Sequence, residues 1–177
     1  MNISRRNLVF RSLATISCGI FYKASDTTKG AETVNEKENE RFFKLYPVGE
    51  VKRQRGTTKL LIFERYRNAL KGLEDFSHAI VLYWFDRNDT PEKRKILQVH
   101  PRGNRNNPLT GVFACRAPVR PNLIALSLCK ILSIKNNIIT VDKIDAFDGS
   151  PILDIKPYIP SIDNEHNSIL VPDWLKE

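Results

Sequence analysis

The residues with the most chemical capacity in this chain sit in a few polar loops. His100-Pro101-Arg102-Gly103-Asn104 puts an imidazole and a guanidinium next to backbone freedom. Arg102 in such a loop can grip a phosphate or carboxylate through two parallel N–H bonds, or simply be a solvated turn residue. Phe113-Ala114-Cys115-Arg116 runs on to Pro118, Arg120 and Pro121. Two prolines stiffen that loop, so it presents two cations in a fixed way to an anionic or carboxylate-bearing ligand. The same arginines could instead cap carbonyls or pair with Asp145 or Asp148. Asp145 to Pro151 (DAFDGSP) carries an Asp-Gly turn signal, and its carboxylates would also suit ribose hydroxyls or an ammonium group. His78 heads an apolar run and reads as structural, and Cys115 lies among apolar neighbours and reads as core. No Ser-His-Asp spacing or paired-carboxylate pattern stands out. Three cysteines (Cys18, Cys115, Cys129) and three histidines show no metal-ligand spacing, so no metal site is expected. The odd cysteine count argues against a disulfide scaffold and for a reducing compartment.

Charge narrows the choice of partner. The 177 residues carry a formal net charge of +8, unevenly spread. Residues 41–130 hold 18 basic and 7 acidic groups, whereas residues 131–177 hold 4 and 8. A strongly cationic block of this size suits a polyanion such as nucleic acid.

Short runs of β-branched and aromatic residues must position these loops. Phe42 to Val51, with Pro47 and Gly49, reads as a bent edge strand. Thr57 to Phe63 is a strand, and Glu64 to Leu70 is helical, closed by Lys71-Gly72. Ala79 to Phe85 is apolar throughout, as a strand buried on both faces would be. Arg94 to Val99 and Val112 to Arg116 are shorter strand candidates. Leu123 to Ile134 and Ile138 to Val141 flank a tight Asn136-Asn137 turn, and Pro151 to Ile155 is the last strand. Six to eight strands with brief helical pieces predict an all-β barrel or sandwich with long functional loops. No GxGxxG or GxxxxGK[ST] is present, so a nucleotide-like cofactor needs another device.

The first forty-one residues read as an extension, the barrel domain as 42–165, and 166–177 as a tail. Arg5-Arg6 before an uncharged run resembles a twin-arginine export signal, but Tyr22-Lys23-Ala24 makes a poor cleavage site. The cytoplasm is therefore favoured over export. No stretch approaches the length of a membrane-spanning helix.

Taken together, GLEDFSH (72–78), LYWF (82–85), HPRGN (100–104), GVFACRAPVRPN (111–122) and DAFDGSPILDIKPYIP (145–160) resemble the TsaA-like or TrmO family, from about Val48 to Pro160. The resemblance implies a small β-barrel, a homodimer, and S-adenosylmethionine-dependent methylation of N6 of threonylcarbamoyladenosine in tRNA. By motif position it implies cofactor contacts at Asp86, Arg87, Arg116, Leu126, Asp148, Gly149, Ser150 and Pro151. Arg53-Gln54 correspond to a further element of the first loop. Arg102, Arg105 and Arg120 would track RNA phosphates, and no catalytic base is named. Three departures mark a divergent branch. RPNLIA (120–125) replaces RPNPIG, Asp86 replaces a histidine, and the first loop lacks its Ser-Pro-Phe segment. A second reading is a non-catalytic cofactor- or RNA-binding barrel, and a third is an exported protein with another ligand.

Overall fold

The computed structural model describes residues 42–175, apart from 55 and 165–168. The Arg5-Arg6 segment therefore lies outside the described residues. Six strands close into a barrel in the order β1-β2-β7-β6-β3-β8. They are β1 (Gly49–Gln54), β2 (Thr57–Ile62), β3 (His78–Trp84), β6 (Ile124–Lys135), β7 (Ile138–Val141) and β8 (Pro151–Pro157). Every neighbouring pair is antiparallel. β4 (Gln98–Val99) and β5 (Thr110–Gly111) form a separate two-stranded ribbon. No helix among the described residues is long and apolar enough to cross a membrane.

The period of two in the strands explains the core. Val51, Leu60, Val81, Tyr83, Cys129, Ile139, Val141 and Ile152 all point inward and are at most 2% exposed. Burying one such aliphatic side chain stabilises the fold by about 1.5–3 kcal/mol. Burial pushes the Cys129 thiol up to about 11. Gly49 opens β1 where the backbones come closest: a Cβ there would lie 2.4 Å from the Leu61 carbonyl oxygen.

Several expectations need correction. The strand expected from Phe42 begins only at Gly49. It is no edge, because closure pairs it with both β2 and β8. β3 is not equally buried on both faces: Ala79, Val81 and Tyr83 are buried, while Ile80, Leu82 and Trp84 are half-buried. Arg94 to Val99 is mostly not strand. Thr90 caps the short helix α1 (Pro91–Arg94) by accepting the Lys93 amide, Pro91 starts it, and only Gln98–Val99 pairs. Val112 to Arg116 is a 3-10 turn followed by extended chain. Val112 is buried there while Phe113 is 82% exposed, so the apolar composition does not reflect sheet membership. Glu64–Leu70 has the expected bounds but is wound as 3-10 turns. The Asn136-Asn137 hairpin forms as expected, with Asn136 at φ +56°.

The segment 85–123 lies between β3 and β6, which pair over seven residues from His78↔Lys130 to Trp84↔Ile124. Arg94 pins it in place. Its guanidinium stacks 5.2 Å over Trp84, donates to Asp89 at 2.8 Å and reaches the Pro121 carbonyl at 2.9 Å. The Arg94 bond, together with one from the Trp84 indole, holds the Asp89 carboxyl below its usual range.

Candidate cofactor and substrate site

The 144–150 turn is built by β1. Arg53 sends Nη2 to the Ile144 carbonyl at 2.6 Å and Nε to the Ala146 carbonyl at 2.8 Å. Its backbone N–H donates to the Asp148 carboxylate at 2.8 Å. Gly149, at φ +83°, donates its N–H to the Val51 carbonyl at 2.7 Å. Only glycine adopts that conformation without a Cβ penalty. The turn delivers Ser150, 2% exposed, whose Oγ donates to the Asp86 carboxylate at 2.9 Å. The 72–88 and 144–151 parts of the chain are thereby tied together.

Three hollows adjoin this structure. One of about 280 Å³ is walled by Asp86, Arg87, Arg116, Phe147 and Ser150. A second of about 670 Å³ is walled by Tyr83, Phe113, Arg116, Leu126, Lys143 and Asp145. A third of about 800 Å³ is walled by His100, Arg102, Phe113, Arg116 and Trp174. Arg116 lines all three. Tyr83 lines the first two, and its hydroxyl donates to the Asp145 carbonyl. Burial pushes the Tyr83 phenol up, against a hydrogen bond with Ser127 that lowers it. The phenol is thus a neutral group at physiological pH. The volumes match those of small-molecule sites, and mostly apolar walls with a few convergent polar groups are what such sites need.

The expected cofactor residues separate into two groups. Asp86, Arg87, Arg116, Leu126 and Ser150 line hollows. Arg87 also lies 3.8 Å over the Phe147 ring. Asp148, Gly149 and Pro151 line none of the three: Asp148 and Gly149 are bonded to β1, and Pro151 pairs with Glu50. Among the cations expected to meet RNA, Arg102 lines the third hollow and Arg105 is exposed. Arg120 lines the second but sends Nη2 to the Val112 carbonyl at 2.8 Å, clipping its own loop.

Sequence reasoning missed Tyr83, Lys143 and Trp174. Tyr83 is the sole inward residue of β3 with a polar tip, which alternation along the strand could have flagged. Trp174 gave no signal, because it lies in a tail without periodicity.

An S-adenosylmethionine-sized molecule fits this donor set. Arg116 offers a guanidinium suited to a carboxylate, Asp86 offers an acceptor in the 280 Å³ hollow, and Phe113 and Leu126 give the 670 Å³ hollow an apolar wall beside Asp145.

Comparison with known proteins agrees with the architecture. Residues 45–164 match the model of the tRNA-methyltransferase O N-terminal domain. A probable S-adenosyl-L-methionine-binding protein of Methanocaldococcus jannaschii is 50% identical over 119 residues, covering 67% of this chain and 94% of that protein. The tRNA (adenine(37)-N6)-methyltransferase of Mus musculus is 40% identical over 106 residues, covering 60% of this chain but 24% of the mouse protein. The crystal structure of TrmO from Pseudomonas aeruginosa superposes with a TM-score of 0.58 at 25% identity, covering 75% of this chain and 62% of that one. The chain therefore belongs to the tRNA-methyltransferase O N-terminal domain family.

Proposed function

We propose that this protein is an S-adenosylmethionine-dependent methyltransferase acting on tRNA, with N6 of a modified adenosine as acceptor. The observation that carries the reading is Arg116 at the junction of three hollows, beside the Ser150–Asp86 pair. The names of the archaeal and mouse relatives support the cofactor and the substrate class respectively. When bound, the cofactor supplies an electrophilic methyl group. The protein's own work is then mostly positioning, which can contribute much of a rate enhancement. Arg116 would hold the cofactor's carboxylate, Asp86, oriented by Ser150, would fix one polar edge, and Leu126 and Phe113 would pack against its apolar parts. Asp148, Gly149 and Pro151 contribute by shaping the turn. Arg102, Arg105 and Arg120 favour RNA phosphates, so binding is expected to weaken steeply with salt.

The RPNLIA stretch, the departure that motivates the binding-only alternative, is accommodated in the barrel frame. Leu123 is fully buried and Ala125 is 3% exposed, opposite Tyr83 in a regular strand. Neither has positive φ, so the alanine sits without backbone strain. Two copies are proposed to pair through the outer face of β6. Ile124, Leu126, Leu128 and Leu132 there are 38–56% exposed, and three of them rim the 670 Å³ cavity. The substrate places the protein in the cytoplasm on this reading.

Calorimetric titration of the full chain with S-adenosylmethionine tests the cofactor, and transfer of labelled methyl to tRNA from a strain lacking the modification tests the reaction. Binding without transfer to any tRNA would favour the binding-only barrel; no binding would end both readings.

A further inference from the structure

The 800 Å³ hollow has walls that the cofactor reading leaves without a task. It shares Phe113, Cys115 and Arg116 with the 670 Å³ cavity. One of its own walls is Trp174 with Leu175, in the short turn Asp173–Leu175. These residues lie beyond residue 164, where the family match ends. Trp174 is half-buried, and Phe113, on the shared wall, is 82% exposed. Two flat aromatic groups therefore face one groove.

The polar groups of the groove are cationic or neutral. Arg102 and Arg116 line it, and among the described residues that line it none is acidic. Arg102 is held at φ +58° by a turn in which Gly103 and Asn104 donate to the His100 and Pro101 carbonyls. That backbone is uncommon for a residue with a Cβ. His100 also lines the groove, and its Nδ1 is 2.8 Å from the Asn107 carbonyl oxygen. A carbonyl only accepts, so Nδ1 carries the proton. When the ring carries a single proton, Nε2 therefore holds the lone pair and is an acceptor.

We propose that this groove is the acceptor-base subsite: it takes one unstacked purine of an RNA strand, stacked on Trp174, its exocyclic amine bonded to His100 Nε2 and its phosphate on Arg102. The chemistry supports RNA over an apolar partner. Aromatic faces beside guanidinium groups, with no carboxylates, are how proteins hold single-stranded nucleic acid. The cationic block 41–130 supplies the long-range attraction. The shared wall sets the base next to the cofactor cavity, with Arg116 between them. The inference rests on the methyltransferase reading for the identity of the neighbouring ligand, but not for the groove's own binding.

The test uses the full chain and a fluorescein-labelled single-stranded RNA oligonucleotide with one adenosine among uridines, titrated by anisotropy. Trp174→Ala should weaken binding roughly ten-fold or more, the scale of one lost base stack. Trp174→Phe should retain most of the affinity, which separates stacking from loss of fold. Replacing the adenosine by purine riboside, which lacks the amine, should weaken wild-type binding but leave His100→Ala indifferent. Calorimetry with S-adenosylmethionine should give the same affinity in Trp174→Ala as in wild type. Unchanged RNA affinity in Trp174→Ala overturns the proposal, as does a phenylalanine variant no better than alanine. A Trp174→Ala variant that sediments as a monomer while wild type is a dimer also overturns it, because a second copy would then occupy the groove. Trp174-dependent RNA binding in a protein that does not bind S-adenosylmethionine would uphold the groove and sink the methyltransferase reading alone.

Discussion

Ser150 Oγ donates a 2.9 Å hydrogen bond to the Asp86 carboxylate across 64 residues of sequence. The bond joins the end of β3 to the start of β8 at the rim of the smallest of the three hollows. Ser150→Ala should leave Asp86 without this buried donor. Asp86 is itself open to water, so we expect a loss of about 0.5–1.5 kcal/mol in urea denaturation together with weaker S-adenosylmethionine binding. Unchanged values for both would remove the pair from the site.

Arg53 acts at a distance from the hollows it shapes. Its guanidinium holds two carbonyls of the 144–150 turn. Arg53→Lys keeps the charge but replaces a planar fork with a point charge. Cofactor affinity should fall about ten-fold, and hydrogen exchange at the Gly149 amide should speed up. Slow exchange at Gly149 in the variant would show that the turn holds itself.

The Tyr83 phenol gives a pH signature. Its ordinary value is 10.0, and burial raises it in the folded protein. Above pH 10 the unfolded chain ionises this group while the folded chain does not, so unfolding is favoured. The stabilisation is therefore complete below pH 10 and is lost as pH rises through the folded value. Tyr83→Phe should flatten the alkaline limb of stability against pH, measured by thermal melts between pH 8 and 11.

Some of this was legible from residue types alone. The β6–β7 hairpin and the Asp-Gly turn were readable because local residues dictate local backbone. Arg116 was readable because two nearby prolines stiffen its loop. Val112 to Arg116 was not, since one buried residue in an apolar run looks like a strand until closure of the barrel leaves it no partner. Arg53 was not readable as a clamp, because its task depends on carbonyls more than ninety residues away. Tyr83 needed the inner face of β3 to be known before its neighbours could be.

The two described thiols should react differently. Cys129 is fully buried with its thiol at about 11, whereas Cys115 is half-buried. Iodoacetamide at pH 8 should label Cys115 and spare Cys129 in the native protein, with both labelled in urea. Peptide mass spectrometry reads this directly. Protection of Cys115 by S-adenosylmethionine would place the ligand at the wall shared by the 670 and 800 Å³ hollows, both of which Cys115 lines.

The placement of segment 85–123 has a consequence for how this protein can change. β3 and β6 are hydrogen-bonded neighbours, so the loops holding Asp86, His100, Arg102 and Arg116 leave and re-enter the barrel at adjacent points. Such an excursion can lengthen, shorten or be exchanged without altering strand order. Substrate range can then drift by loop replacement while the frame stays fixed. A chimera carrying the corresponding loop of a relative should keep the host's thermal stability and take the donor's RNA preference.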